Sequence, residues 1–178
     1  MAEATTQMPP DAGVRQGRHG PLTAAGLVLG LGLGGFVDGI VLHQILQWHH
    51  VLTDYGDHAS FPAATTASLE DNMVWDGLFH ASTWACVAVG LWLLWRATAV
   101  GHRTSGRCLV GLIAAGWGIF NLVEGIVDHH ILSLHHVRDD VADPLWWDLG
   151  FLALGALLIV GGFGLWRTGA RGSGVDSR

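Results

Sequence analysis

The chain predicts an all-α fold. It reads as a four-transmembrane-helix bundle built from two tandem helical hairpins with pseudo-two-fold symmetry. Three observations predict it. First, four apolar runs alternate with polar stretches, at about 22–50, 73–100, 107–136 and 145–166. Each holds about 20 residues or more, enough to cross a hydrocarbon core of roughly 30 Å. Second, 50% of the 178 residues are apolar and 13% charged, with 26 Gly and 9 Trp, which suits a small membrane protein better than a soluble one. Third, the chain repeats itself. Moving Phe36-Val37-Asp38-Gly39-Ile40-Val41-Leu42-His43 by 86 positions lays it on Leu122-Val123-Glu124-Gly125-Ile126-Val127-Asp128-His129, and His49-His50 on His135-His136.

The first run follows Arg15 and Arg18 and passes without a break into the repeated motif, so it reads as a retained span rather than a cleaved leader. Its Gly26, Gly30 and Gly34 recur every four residues, a spacing that lets helices approach closely. The second run opens on Asp71-Asn72-Met73-Val74-Trp75-Asp76. The fourth opens on the similar Asp143-Pro144-Leu145-Trp146-Trp147-Asp148, at an offset of 72. The repeat therefore takes in all four runs, and two spans per copy give both hairpins the same orientation. Residues 1–20 and 169–178 are polar or Gly/Ser-rich and read as disordered cytoplasmic tails. That leaves 21–168 as one membrane domain.

Eight of the nine arginines flank one side, and Arg138 alone lies on the other. The positive-inside rule then puts both termini and the 97–106 loop in the cytoplasm of a bacterial inner-membrane, multi-pass protein. The 51–72 and 137–144 loops face out. A net charge of −6 and no basic patch exclude a nucleic-acid partner. Cys86 and Cys108 form no C-x-x-C pair and read as small buried residues. The lipid bilayer is the evident partner; a homo-oligomer or a partner membrane enzyme is left open.

Ionisable groups inside a span are functional candidates, because burying them in lipid is expensive. At about 100° per residue, Asp38, Leu42, His43, His49 and His50 share an arc of less than half the helix. Glu124, Asp128, His129, His135 and His136 share the same arc in the second copy, and His130 points away. Asp38 and His50 would lie about 18 Å apart along a helix axis, so two layers are expected. An inner layer would hold Asp38, His43, Asp76, His80, Glu124, Asp128 and His129. An outer one would hold His49, His50, His135 and His136. Imidazole and carboxylate ligands suit zinc, iron or copper(II), and no thiolate set is present. The set predicts a transition metal in the outer half, serving a metal-dependent redox or hydrolytic enzyme or a metal-handling assembly factor. Whether the protein is an enzyme stays open. Two alternatives are haem held between His43 and His129 and a proton or ion relay along the titrating groups.

The stretch Gly35-Phe36-Val37-Asp38-Gly39-Ile40-Val41-Leu42-His43-Gln44, with Gln47-Trp48-His49-His50, resembles a family of predicted bacterial four-span membrane proteins catalogued as a domain of unknown function. Asn121-Leu122-Val123-Glu124-Gly125 and Asp128-His129-His130 match the same family. The resemblance covers nearly all of the chain after residue 20. It implies a four-helix inner-membrane protein and supplies no activity.

Overall fold

The structure is a computed structural model, and it describes residues 20–57, 59–102 and 105–172. Of the tails expected at 1–20 and 169–178, residues 1–19 and 173–178 lie outside the described residues. It is an all-α bundle. Helix α1 (Gly20–Val37) continues as a π-helical segment over Asp38–Ile45, and α2 spans Thr66–Ala99. Helix α3 (Gly106–Glu124) continues as a π segment over Gly125–Ile131, and α4 spans Leu145–Gly172. All four are long and apolar enough to cross a membrane.

Several bounds differ from the apolar runs. Helix α2 begins at Thr66 rather than near 73, where Thr65 Oγ1 accepts the Ser68 N–H at 3.1 Å and satisfies one free donor of the first turn. Ser105 caps α3 in the same way through the Cys108 N–H. Helix α4 runs on through residues 169–172, which read as tail in the sequence. The first and third runs leave the helix early, at Ile45 and Ile131 rather than 50 and 136.

Helices α1 and α3 lie side by side at the centre, with α2 packed on α1 and α4 packed on α3. In the apolar window of each span, 50% of α1 and 44% of α3 is buried, against 11% of α2 and of α4. Glycine makes the central approach close. A Cβ on Gly30 would meet Ile113 O and Gly116 Cα, and one on Gly116 would meet Leu27 O and Gly30 Cα. The spacing read from the sequence therefore serves packing. The outer faces of α2 and α4 present Trp84, Leu157 and Val160 outward, as lipid contact requires.

Both π segments end in the same way. Leu46 N–H donates to Val41 O at 2.8 Å, and Leu132 N–H to Val127 O at 2.8 Å. Gln47 and Ser133 then take positive φ of 49° and 50°, a conformation uncommon outside glycine. That residue turns the chain back over the bundle, and Trp48 N–H and Leu134 N–H close the turn on Leu42 O and Asp128 O.

Candidate metal centre

The winding of the π segment decides the site. On an α-helix Asp38 and His43 would point about 140° apart. In i→i+5 winding, residues five apart stack on one face. His43 Nε2 accordingly lies 3.0 Å from Asp38 Oδ2. The reversed turn does the rest, bringing His49 back so that its ring lies 4.4 Å from that of His43. The two expected layers therefore merge, because the helix stops at Ile45 and no longer carries His49 outward.

The result is a buried group of His43, His49, Glu124 and His135, with one ligand atom from each lying within 4.8 Å of the others. None of the four is more than 4% exposed. The rings form a row. His49 and His135 stack in the middle at 4.5 Å with their planes 4° apart. His43 flanks them on one side, and His129, 4.9 Å from His135, on the other. The sequence expects His43 and His129 to face each other across the bundle, but the stacked pair occupies that place.

Each of the three imidazoles is gripped by its outer nitrogen. His43 Nδ1–H donates to Asp76 Oδ1 at 3.0 Å, His49 Nδ1–H to Val137 O at 2.9 Å, and His135 Nδ1–H to Val51 O at 3.1 Å. That fixes the tautomer, leaving a lone pair on each Nε2. These three Nε2 atoms, Asp38 Oδ2 and Glu124 Oε2 are buried without a hydrogen-bond partner. Buried polar atoms are rarely left so. The 3.0 Å approach of His43 Nε2 to Asp38 Oδ2 is not aligned as a hydrogen bond, so two electron-rich atoms face each other. Burial first, and the neighbouring imidazoles next, hold His49 well below its ordinary pKa. Burial and His43 push His135 down to about 4. Both rings are therefore neutral at pH 7, the form that binds a metal.

The remaining sequence candidates surround this group. Asp76 accepts four hydrogen bonds, from His43, the Val51 N–H, His50 Nδ1 and Gln44 Nε2. Its oxygens are used up in orienting His43, the part a carboxylate plays behind a metal-bound histidine. His50 stands on the outer side of Asp76, and His136 holds the matching place against Asp148 Oδ2 at 2.7 Å. His80 turns away from the group, donating to the Asp76 carbonyl at 2.6 Å and packing on Phe36 and Phe79. Asp128 is half-buried outside the group of four. His129 points Nδ1 at Asp148 Oδ1 from 3.5 Å, and neither of its ring nitrogens has a hydrogen bond. The partners least visible in the sequence are the Val51 and Val137 carbonyls. Their one signal is that both follow a His-His pair.

No curated protein and no solved structure matches the chain. A family model does match, over residues 25–169, which take in α2 and α3, most of α1 and α4, and every residue of the buried group. The chain belongs to the DUF2243 family of predicted membrane proteins.

Proposed function

We propose that the protein is an inner-membrane metalloprotein that holds one transition-metal ion between His43, His49, His135 and Glu124, with Asp38 at the edge of the set. One observation carries this reading. Three imidazole lone pairs and two carboxylate oxygens lie close together in the buried interior, with no hydrogen-bond partner among the described residues. A cation answers all of them at once. Nitrogen and carboxylate donors favour zinc, iron or copper(II) over copper(I). Complete burial favours a resident ion over one in transit, and so a metal-dependent redox or hydrolytic enzyme over a delivery factor. Haem is disfavoured, because rings stacked at 4.5 Å leave no slot for a macrocycle. With both termini cytoplasmic, the ion lies in the outer half of the bilayer. Arg96, Arg107 and Arg167 sit at the opposite ends of their helices, which supports that orientation.

A second reading has one observation of its own. His43 lies 3.0 Å from a carboxylate at each nitrogen, so a proton on Nε2 would also relieve the contact with Asp38, as in a proton relay. Metal analysis of protein purified from its native membrane separates the two. The metal reading expects about one ion per chain and a thermal midpoint that falls on chelation, since a ligand bound only to the folded state stabilises it. Protein that holds no ion, and gains no stability from added zinc, iron or copper, replaces the metal with the proton.

A further inference from the structure

A cavity of about 520 Å³ opens at the loop end of the bundle, between the turn that follows the first π segment and the start of α2. Phe61, Pro62 and Ala63 wall it on the loop side. Its polar lining is Gln44, Gln47, His50, Asn72 and Asp76. Three of these form one hydrogen-bonded unit. Gln44 Nε2 and His50 Nδ1–H both donate to Asp76 Oδ2, and Asp76 Oδ1 accepts from His43 of the buried group. Gln44 is exposed, the His50 side chain is 18% exposed, and Asp76, at 2%, stands behind them. One carboxylate thus links the cavity to His43, whose ring centre lies 6.5 Å from that of His50.

The charged residues beside the mouth are acidic. Glu70 and Asp71 are exposed on α2 between the lining residues Leu69 and Asn72. No arginine or lysine occurs between Arg18 and Arg96. Such a field gathers cations and repels anions. The second copy is built otherwise. Residues 132–144 join its π segment to α4, against 46–65 in the first, and the shorter link has no counterpart of Phe61-Pro62-Ala63.

We propose that this cavity is the port through which a divalent transition-metal ion reaches and leaves the buried group, with His50 as the ligand that hands it on. The route rests on the metal assignment. An ion entering a buried site must exchange its water for protein ligands, since bare burial is costly. A partly exposed imidazole beside a carboxylate begins that exchange with the ligand types of the site itself. Rotation of Gln44 and His50 off Asp76 Oδ2 would free that oxygen for the ion on its way to His43. The cavity on the α4 side, of about 590 Å³, is walled by Trp48, Trp117, Trp147 and Phe151 and offers an entering ion mainly indole and phenyl.

The test uses the full chain in phosphatidylcholine nanodiscs. Zinc uptake by metal-stripped protein and zinc release to a chromophoric chelator are timed separately. A port sets both rates and leaves the equilibrium alone. Ala63→Trp, which fills the cavity from its wall, should slow uptake and release alike by about tenfold or more. Its zinc affinity should stay within about threefold of the parent. His50→Ala should slow both rates in the same way with the cavity left open. Gly150→Leu fills the α4-side cavity from a position where a Cβ meets nothing within 4 Å, and should keep the parent rates. Parent rates in both Ala63→Trp and His50→Ala, or slowing confined to Gly150→Leu, would overturn the port and leave the metal assignment standing. Slower uptake with unchanged release, a plain loss of affinity, would overturn it too. A parent protein that takes up none of zinc, iron or copper overturns the port together with the metal assignment.

Discussion

The two copies of the histidine motif carry their carboxylate and their three matched histidines at the same spacing, yet they hold their inner histidines differently. In the first, His43 donates to an Asp76 fixed by three further donors, Gln44 among them. In the second, His129 stands 3.5 Å from Asp148, and His130 takes the place of Gln44. Asp148 grips the loop as firmly as Asp76 does, through His136 and the Val137 N–H, but not the inner ring. The first copy therefore supplies two members, His43 and His49, to the group of four. The second supplies His135 and Glu124 and leaves His129 at the edge. Repeating a motif duplicates its chemistry, but hydrogen bonds decide which copy is organised for use.

Substitution of the two inner rings breaks this comparison most directly. His43→Ala should lose nearly all bound metal and His129→Ala should keep most of it, read by elemental analysis of the purified proteins. Equal losses would mean that the hydrogen bonds to Asp76 confer no advantage. A smaller effect is expected one step out. Asp76→Asn should weaken metal affinity by about 10–100-fold, and Asp148→Asn by distinctly less, measured by competition with a chelator. Reversal of that order would move the organised half to the second copy.

The smallest effect concerns Thr53 and Asp139, which sit at matching places. Thr53 Oγ1 accepts the His50 N–H and Asp139 Oδ1 the His136 N–H. Burial raises the Asp139 carboxyl to about 7; a hydroxyl has no such titration. The folded chain thus binds that proton more tightly than the unfolded one. The stabilisation is full below about pH 4 and gone above about pH 7. Thermal scans should show Asp139→Asn gaining on the parent protein across that window, with a constant difference above it. Parallel curves throughout would show that Asp139 does not titrate there.

The spans were legible because lipid demands long apolar runs, and the close approach of α1 and α3 because only small residues permit it at Gly30. The residues of the buried group were legible too, through their recurrence at a fixed offset. Their arrangement was not. A wheel drawn at α-helical pitch separates Asp38 from His43 and carries His49 outward. The π winding and the positive φ at Gln47 undo both, and no residue type at those positions announces them. Asp76 read as a ligand because its type fits, whereas in the structure its oxygens accept four hydrogen bonds. The Val51 and Val137 carbonyls lay beyond reach, since any residue has one.

Those carbonyls clasp crosswise. The ring of His49, in the first half, is held by Val137 of the second, and His135 by Val51 of the first. Asp54 N–H to Leu134 O and Asp139 N–H to Trp48 O stitch the halves in the same manner. A nascent chain that has threaded only its first hairpin into the bilayer has His43 and His49, but neither the carbonyl that aims His49 nor Glu124 to complete the set. On the proposed metal reading, ion capture is the closing event of biogenesis, and a chain arrested after Ala99 is expected to bind no metal. On that reading, filling the site also tests whether the two halves of the chain have met.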